Sequence, residues 1–228
     1  MMKKNINQKI ISIIEYYKMI NLDMIISNDP ITRYKREKNI NFVSDKKEKL
    51  NILKKKIENI KNCNLKKAAN KMVFSDGNIN SKIMLVGEGP GAQEDRMGLP
   101  FVGAAGKLLT KLLNSINLSR DDVFITNIVK CRPPNNRDPL PSEVEKCEPY
   151  LIKQLHLISP KLIVALGRIA ACTMLNTKES LKNLRNQIFT YAQIDLLVTY
   201  HPAALLRNPN FKKPAWEDFQ LIRDKYLR

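Results

Sequence analysis

Apolar residues follow two different spacings along the chain, and the spacing changes near residue 80. Over residues 5–26 they recur every three or four positions, which predicts an amphipathic helix. The same spacing returns in the lysine-rich segment 47–62 and predicts a second helix. The segment between them, 31–46, is polar and charged, so we interpret it as a linker or a loosely ordered stretch.

Beyond residue 80, short apolar runs alternate with helical patterns. The runs predict buried strands over KIMLVG (82–87), VFITNIV (123–129), KLIVALG (161–167) and LLVTYHP (196–202). The helical patterns between them predict helices over 104–117, 142–158 and 168–175, with Ser142 as an N-cap. This alternation predicts a three-layer α/β/α fold with a central, mostly parallel four-stranded sheet, plus a helical N-terminal extension.

The chain has 228 residues and a mass of 26.2 kDa, which suits one globular domain with an appendage. Its apolar runs are far shorter than a membrane span and no secretory signal is evident, so we expect a cytoplasmic protein with no membrane partner. Four cysteines in such a protein indicate reduced thiols or metal ligands rather than disulfides. We place a lysine- and isoleucine-rich extension with its linker at 1–48, and the globular domain at 49–228.

Basic residues greatly outnumber acidic ones: 39 Lys and Arg against 22 Asp and Glu give a net charge of +17. Such a charge favours a polyanionic partner, above all a nucleic acid. The lysine-rich composition of the N-terminal region explains part of this excess without any partner. Charge therefore leaves nucleic-acid binding open without deciding it.

Each predicted strand ends in residues suited to binding a ligand, and in parallel sheets ligands bind at the carboxyl ends of strands. GEGPG (87–91) follows the first strand, lacks the P-loop pattern, and has glycines that let the backbone approach a ligand closely. Asn127 lies in the second strand, where its amide either reads a base edge or is satisfied by nearby backbone. His201 lies at the end of the fourth strand, where a chemical role is favoured.

LPFVGAAG (99–106) places Phe101 beside small residues, so its ring either packs in the core or stacks on a flat ligand such as a nucleobase. Glu88, Glu94 and Asp95 lie in or near the glycine-rich turn. For Asp95 we expect a solvated position in an acidic loop.

Four segments together resemble the successive motifs of the family 4 uracil-DNA glycosylases: GEGPGAQEDRMGLPFVGAAG, TNIVKCRPPNNRDPLPSEVEKCEPYL, LIVALGRIAA and TYHPAALLRNP. The resemblance covers about residues 60–210, in order. It implies that 49–228 is a catalytic domain that flips uracil out of DNA and hydrolyses its N-glycosidic bond, leaving an abasic site for base-excision repair. It further implies a monofunctional hydrolase acting on uracil-containing DNA. We expect a monomer whose N-terminal extension is free to bind a repair or replication partner.

By this resemblance, Phe101 stacks on the uracil ring and Asn127 reads its polar edge, while the backbone at Gly87 and Gly89 contacts the base and the sugar. His201, in the HPA motif, stabilises negative charge on the departing uracil. Two glutamates are candidates for orienting water or favouring a cationic sugar: Glu88 and Glu94. Three residues resemble the family's DNA-intercalating segment: Leu205, Leu206 and Arg207.

The resemblance also implies a [4Fe–4S] cluster held by four cysteines. Cys63, Cys131 and Cys147 fall on three of those positions, and Ile60 occupies the fourth. A cluster with a non-cysteine ligand, a labile cluster and no cluster all remain open. Cys172 lies where the family has no ligand, so we interpret it as a core residue.

Two other functions remain open. The first is a glycosylase with a broader range of deaminated bases, which competition between uracil- and hypoxanthine-containing oligonucleotides would distinguish. The second is a protein associated with replication that binds uracil-containing DNA without cutting it. Tight binding with no abasic product would identify that protein.

Overall fold

The computed structural model describes residues 42–227, with side chains from residue 45 onward. Its strands are β1 (Asp76–Gly77), β2 (Ile83–Gly87), β3 (Phe124–Asn127), β4 (Leu162–Leu166), β5 (Ile188–Tyr191) and β6 (Ile194–Thr199). Its α-helices are α1 (Phe42–Glu58), α2 (Asn64–Ala68), α3 (Ala92–Met97), α4 (Ala104–Asn114), α5 (Pro141–Ile158), α6 (Arg168–Leu175), α7 (Leu181–Leu184), α8 (Pro202–Arg207) and α9 (Lys212–Tyr226). Short 3₁₀ turns cover Arg120–Asp122, Pro134–Asn136 and Pro209–Phe211. Over this part of the chain, no helix has the length and apolarity needed to cross a bilayer.

The strands form one sheet in the order β1-β3-β2-β4-β6-β5. The four central strands are mutually parallel, and β1 and β5 pair antiparallel at the two edges. The predicted parallel four-strand core is therefore confirmed. The sequence pattern missed both edge strands because β1 has only two residues and β5 has no fully buried residue.

The sheet is covered by helices on both faces because its central strands present apolar side chains alternately to each side. Met84 and Val86 belong to a core shared with α1 and α5, while Ile83 and Leu85 belong to a core shared with α4 and α9. Nearly all side chains of the four central strands, β2, β3, β4 and β6, are buried. The predicted three-layer α/β/α architecture is confirmed.

The first described helix, α1, begins at Phe42, inside the segment predicted as a linker. Lys46 helps to attach α1 to the rest of the domain, because the Lys46 Nζ donates to the carbonyl oxygens of Ile79 (3.0 Å) and Ile158 (3.1 Å). Leu50 and Leu53 bury the inner face of the same helix. The predicted boundary after residue 48 falls within α1, and the predicted helix over 5–26 lies outside the described residues.

Helix α5 begins one residue before the predicted N-cap. Pro141 occupies its first turn, where proline's fixed φ suits a helix start. Glu143 accepts a hydrogen bond from the Leu140 backbone N–H at 2.8 Å and is also held by Arg137. Ser142 therefore lies inside the helix, and a glutamate supplies the capping contact that was expected from a serine.

A buried ion pair joins α9 to the segment between α7 and β5, and a hydrogen bond to the same aspartate joins α9 to the end of β6. Arg185 Nε donates to Asp218 Oδ2 at 2.8 Å, and Thr199 Oγ1 donates to the same oxygen at 2.6 Å. Arg185 also donates to the Pro214 carbonyl at 2.6 Å and lies 4.8 Å from the centre of the Tyr200 ring. Each charged partner is nearly inaccessible to solvent, so removing one leaves the other desolvated and unpaired.

We expect Asp218→Ala to lower the free energy of unfolding by about 3 kcal/mol or more, because Arg185 would stay buried without its partner. Urea unfolding measures this change. Asp224→Ala is the matched control, because Asp224 pairs with Arg223 at the surface, and it should cost about 1 kcal/mol or less. Equal losses in the two variants would contradict this assignment.

Candidate active site

A cavity of about 550 Å³ opens where β2, β3, β4 and β6 end. This is the edge at which ligands bind in parallel sheets. It brings together seven residues predicted from the sequence: Glu88, Gly89, Glu94, Phe101, Asn127, His201 and Arg207. Gly87 lies beside this group, at the end of β2, while Leu205 and Leu206 do not line the cavity.

The innermost part of the cavity is built around Gly87. The parallel pairing of β2 with β3 places Gly87 directly beside Asn127. A methyl group on Gly87 would overlap both the Asn127 side-chain oxygen and the Phe101 ring. Glycine is therefore required here so that the amide and the aromatic ring can approach the same point.

Asn127 is 2% exposed, yet its Oδ1 has no hydrogen-bond partner. Among the described residues, it is the only buried side-chain oxygen or nitrogen in this state. Buried polar atoms are almost always paired, and leaving one unpaired costs about 1–3 kcal/mol. In this orientation, Asn127 presents an unpaired acceptor that a ligand N–H can satisfy.

Lys130, which sequence reasoning did not single out, lies fully buried beside the backbone of Asn127. Its Nζ donates to the Asn127 carbonyl at 2.6 Å, to Thr126 Oγ1 at 2.7 Å and to Gln154 Oε1 at 2.6 Å. Burial lowers the pKa of Lys130 to about 7. These three contacts hold the end of β3 in place.

Glu94 lines the cavity and also binds the backbone after Phe101. Its Oε1 accepts hydrogen bonds from the N–H groups of Val102 and Gly103, each at 2.9 Å. One carboxylate oxygen of this predicted catalytic residue is thus committed to holding a loop. The sequence carried no signal for this contact, because the three residues are joined only by the fold of the loop.

His201 forms the N-cap of α8, and its Nδ1 accepts the Ala203 N–H at 3.1 Å. Burial, and then the nearby charge of Arg207, lower the pKa of His201 to about 4. The imidazole is therefore neutral at physiological pH and carries its proton on Nε2. Its ring centre lies 5.5 Å from that of Phe101.

Burial raises the pKa of Glu88 to about 7, with a further increase from the negative charge of Asp138 and a smaller opposing effect of Arg168. Asp138 and Arg168 also form an ion pair at 3.6 Å on the rim of the cavity. The Glu88 carbonyl accepts the Val129 N–H at 3.1 Å, which fixes the residue next to β3. A carboxylate that titrates near neutral pH is suited to proton transfer.

Three residues predicted to contact DNA lie on α8 in different environments. Leu205 is 1% exposed and packs inward, whereas Leu206 is 50% exposed. Arg207 lines the cavity. Of the two leucines, Leu206 is therefore the one accessible to a DNA ligand.

The structure adds two aromatic residues to the cavity lining, and it buries one acidic residue that was expected to be solvated. Tyr200 and Phe211 stack with ring centres 4.5 Å apart and both line the cavity, although neither was named as a site residue from the sequence. Asp95 is buried rather than solvated. It accepts hydrogen bonds from the backbone and side-chain nitrogens of Asn70, at 2.9 Å and 2.6 Å, so it ties α3 to the segment before β1.

Cys63, Cys131 and Cys147 are buried in one apolar core, with the Ile60 side chain packed against it. Burial, and then the nearby Cys63 and Cys147 thiols, raise the pKa of Cys131 to about 12. Over residues 42–227, no group of three or more His, Cys, Asp or Glu side chains is arranged to hold a metal ion. Because isoleucine supplies no donor atom, these residues do not fit a cluster held by four thiolates. Cys172, interpreted from the sequence as a core residue, is partly buried and packs against the same core.

The profile of the uracil DNA glycosylase superfamily matches residues 74–220, which include every residue that lines the cavity. A type-4 uracil-DNA glycosylase of Archaeoglobus fulgidus is 43% identical over 183 residues, or 77% of this chain and 92% of that protein. The chain belongs to the type-4 uracil-DNA glycosylases. A second type-4 relative, from Sulfurisphaera tokodaii, is 45% identical over 181 residues, covering 75% of this chain and 82% of that protein.

A type-5 uracil-DNA glycosylase of Pyrobaculum aerophilum is less similar, at 34% identity over 148 residues, or 57% of this chain and 64% of that protein. Membership in the uracil-DNA glycosylase superfamily confirms the family resemblance and the α/β fold drawn from the motifs. The match begins at residue 74, so Ile60 and Cys63 lie before it.

The electrostatic environment of Glu88 is testable without any substrate. We expect Asp138→Asn to lower the pKa of Glu88, because a repulsive negative charge is removed, and Arg168→Ala to raise it, because an attractive positive charge is removed. Carbon-13 NMR titration of the Glu88 carboxyl measures both shifts, with Asp121→Asn, an exposed position that does not line the cavity, as the control. A Glu88 that titrates like an exposed glutamate in the wild type would contradict its placement.

Proposed function

We propose that this type-4 uracil-DNA glycosylase hydrolyses the N-glycosidic bond of uracil in DNA and leaves an abasic site. The observation that carries the proposal is the unpaired, buried Asn127 Oδ1 beside the Phe101 ring. Extruding a base from the stack costs a few kcal/mol, and pocket contacts must offset this cost. An unpaired acceptor and an aromatic face at the inner end of a cavity supply such contacts.

Recognition of uracil follows from the orientation of the Asn127 amide. Its Oδ1 is placed to accept the N3–H of uracil, and its Nδ2 to donate to O4. Cytosine has an acceptor at N3 and a donor at N4, so the same amide would face two mismatched groups. A buried mismatch of this kind costs more than a lost contact, because both polar groups stay unpaired. Phe101 adds stacking that is indifferent to base identity.

His201 is the group proposed to stabilise the departing uracil. Negative charge develops on uracil as the bond to the sugar breaks, and a preorganised donor stabilises that charge best in a water-poor site. Because Nδ1 is occupied by the Ala203 N–H, the available proton is on Nε2. A neutral imidazole therefore donates to the uracil oxygen without first having to be protonated.

Glu88 is the favoured candidate for activating water, since its pKa of about 7 leaves a substantial deprotonated fraction at neutral pH. Its negative charge also favours a cationic sugar. Glu94 is assigned a smaller part, because one of its oxygens is engaged by backbone N–H groups. Among the described residues, no lysine lines the cavity, and this supports hydrolysis over a covalent amine intermediate.

Binding of DNA is proposed to use Arg207 for phosphate and the exposed Leu206 to fill the gap left by the extruded base. The net charge of +17 supports a polyanionic partner and makes affinity fall with rising salt. We include in the proposal a cytoplasmic monomer acting in base-excision repair, with residues before the catalytic domain available to a repair or replication partner.

The decisive test is an assay on matched oligonucleotides with one uracil or one thymine, followed by alkaline cleavage at abasic sites. We expect cleavage only at uracil, reduced about 10²–10³-fold in Asn127→Ala and in His201→Ala. His156→Ala and Asn59→Ala are matched controls on the exposed surface and should retain wild-type rates. Binding of uracil-containing DNA without any abasic product, by the folded wild type, would overturn the proposal in favour of a non-cleaving sensor.

No step of this mechanism passes through an iron–sulfur cluster. Because only three of the four cluster positions carry a thiol, we expect the wild type to take up no four-thiolate cluster after anaerobic incubation with iron and sulfide. Ile60→Cys should restore the fourth donor and with it the visible absorption of a cluster and bound iron. Ile60→Val is the control for a change of packing alone. A wild-type spectrum equal to that of Ile60→Cys would contradict this expectation.

A further inference from the structure

Two charged side chains bind four backbone groups within residues 100–103, around Phe101. The guanidinium of Arg120 donates to the carbonyl oxygens of Pro100 (2.9 Å) and Phe101 (3.0 Å). Glu94 accepts the next two N–H groups, as described above. A cation therefore donates to carbonyl groups of this segment, and an anion accepts from its N–H groups. Hydrogen bonds with one ionised partner are stronger than those between neutral groups.

The segment held by Arg120 and Glu94 includes a residue with an unusual backbone conformation. Phe101 has a φ of +53°, in the left-handed region that bulky residues rarely adopt. Its carbonyl lies so close to α4 that a methyl group on Gly106 would overlap it. Residues held in such conformations persist only where the surroundings enforce them, and they concentrate at functional sites.

Arg120 is itself oriented by Asp76, at the edge of the sheet. Its Nε donates to Asp76 Oδ2 at 3.0 Å, and its Nη2 contacts the same oxygen. Both side chains are largely shielded from solvent. Arg120 and Asp76 do not line the cavity, so any effect they have on the site must pass through the segment that Arg120 holds.

We propose that Arg120, oriented by Asp76, is a positioning residue that fixes the Phe101 ring for stacking on the extruded base. The inference rests on the proposed function and adds to it a residue outside the cavity that affects how the base is bound. With Arg120 removed, the Phe101 backbone relaxes from its left-handed conformation and the ring leaves the base position. Turnover and affinity for free uracil fall together, while the KM for DNA, which reflects phosphate contacts elsewhere, stays within about twofold.

The test is a double-mutant cycle between Arg120 and Phe101. We expect Arg120→Ala to lower kcat on single-stranded uracil oligonucleotides about tenfold and to weaken inhibition by free uracil by a similar factor. In a Phe101→Ala background, the same substitution should change kcat by less than about twofold, because its target is gone. Arg223→Ala, at an exposed ion pair, is the matched control and should behave as wild type.

Arg120→Lys is a second variant that retains the charge and the side-chain stem but lacks the fork that reaches two carbonyls. Arg120→Lys should lower kcat and weaken uracil inhibition less than Arg120→Ala does. It replaces Arg120→Ala in the double-mutant cycle if that variant does not fold. Equal losses in the wild-type and Phe101→Ala backgrounds would overturn the proposal, as would unchanged uracil inhibition in a folded Arg120 variant. An inactive wild type would instead refute the proposed function.

Discussion

The parallel register between β2 and β3 is the constraint on which the site depends, because it sets Gly87 beside Asn127. The missing side chain at Gly87 leaves room for the Asn127 amide and the Phe101 ring at a single point. A slip of one residue would turn Asn127 to the other face of the sheet. The buried core on both faces therefore defines the geometry of the cavity as well as the stability of the domain.

His201 and Glu88 have pKa values shifted in opposite directions, so the two side chains differ in their protonation behaviour at neutral pH. His201 is neutral because burial and Arg207 disfavour its charged form, so its Nε2 carries a proton that it can donate to a ligand. Glu88 titrates near neutrality because it is buried close to Asp138. Burial disfavours the charged form of both side chains, so it leaves the imidazole suited to donating a hydrogen bond and the carboxyl group suited to exchanging a proton near neutral pH.

The sequence was most informative where local chemistry is visible in a short motif. Strand-end residues such as Asn127 and His201 could be predicted because parallel strands bring their carboxyl ends to one edge. Contacts between distant segments could not be predicted. Arg120 binds Phe101 and Asp76 only because the fold brings a 3₁₀ turn, a loop and an edge strand together. Likewise, the spacing of residues in α8 did not distinguish the buried Leu205 from the exposed Leu206.

A crystal structure of this chain with free uracil would test most directly whether Asn127 and Phe101 form the base site. We predict uracil at the inner end of the cavity, with N3–H donated to Asn127 Oδ1, the ring stacked on Phe101 and His201 Nε2 within hydrogen-bond distance of O2. The Phe101 backbone should keep its left-handed conformation. Uracil bound elsewhere, with Asn127 Oδ1 still unpaired, would contradict the assignment of this cavity as the uracil site.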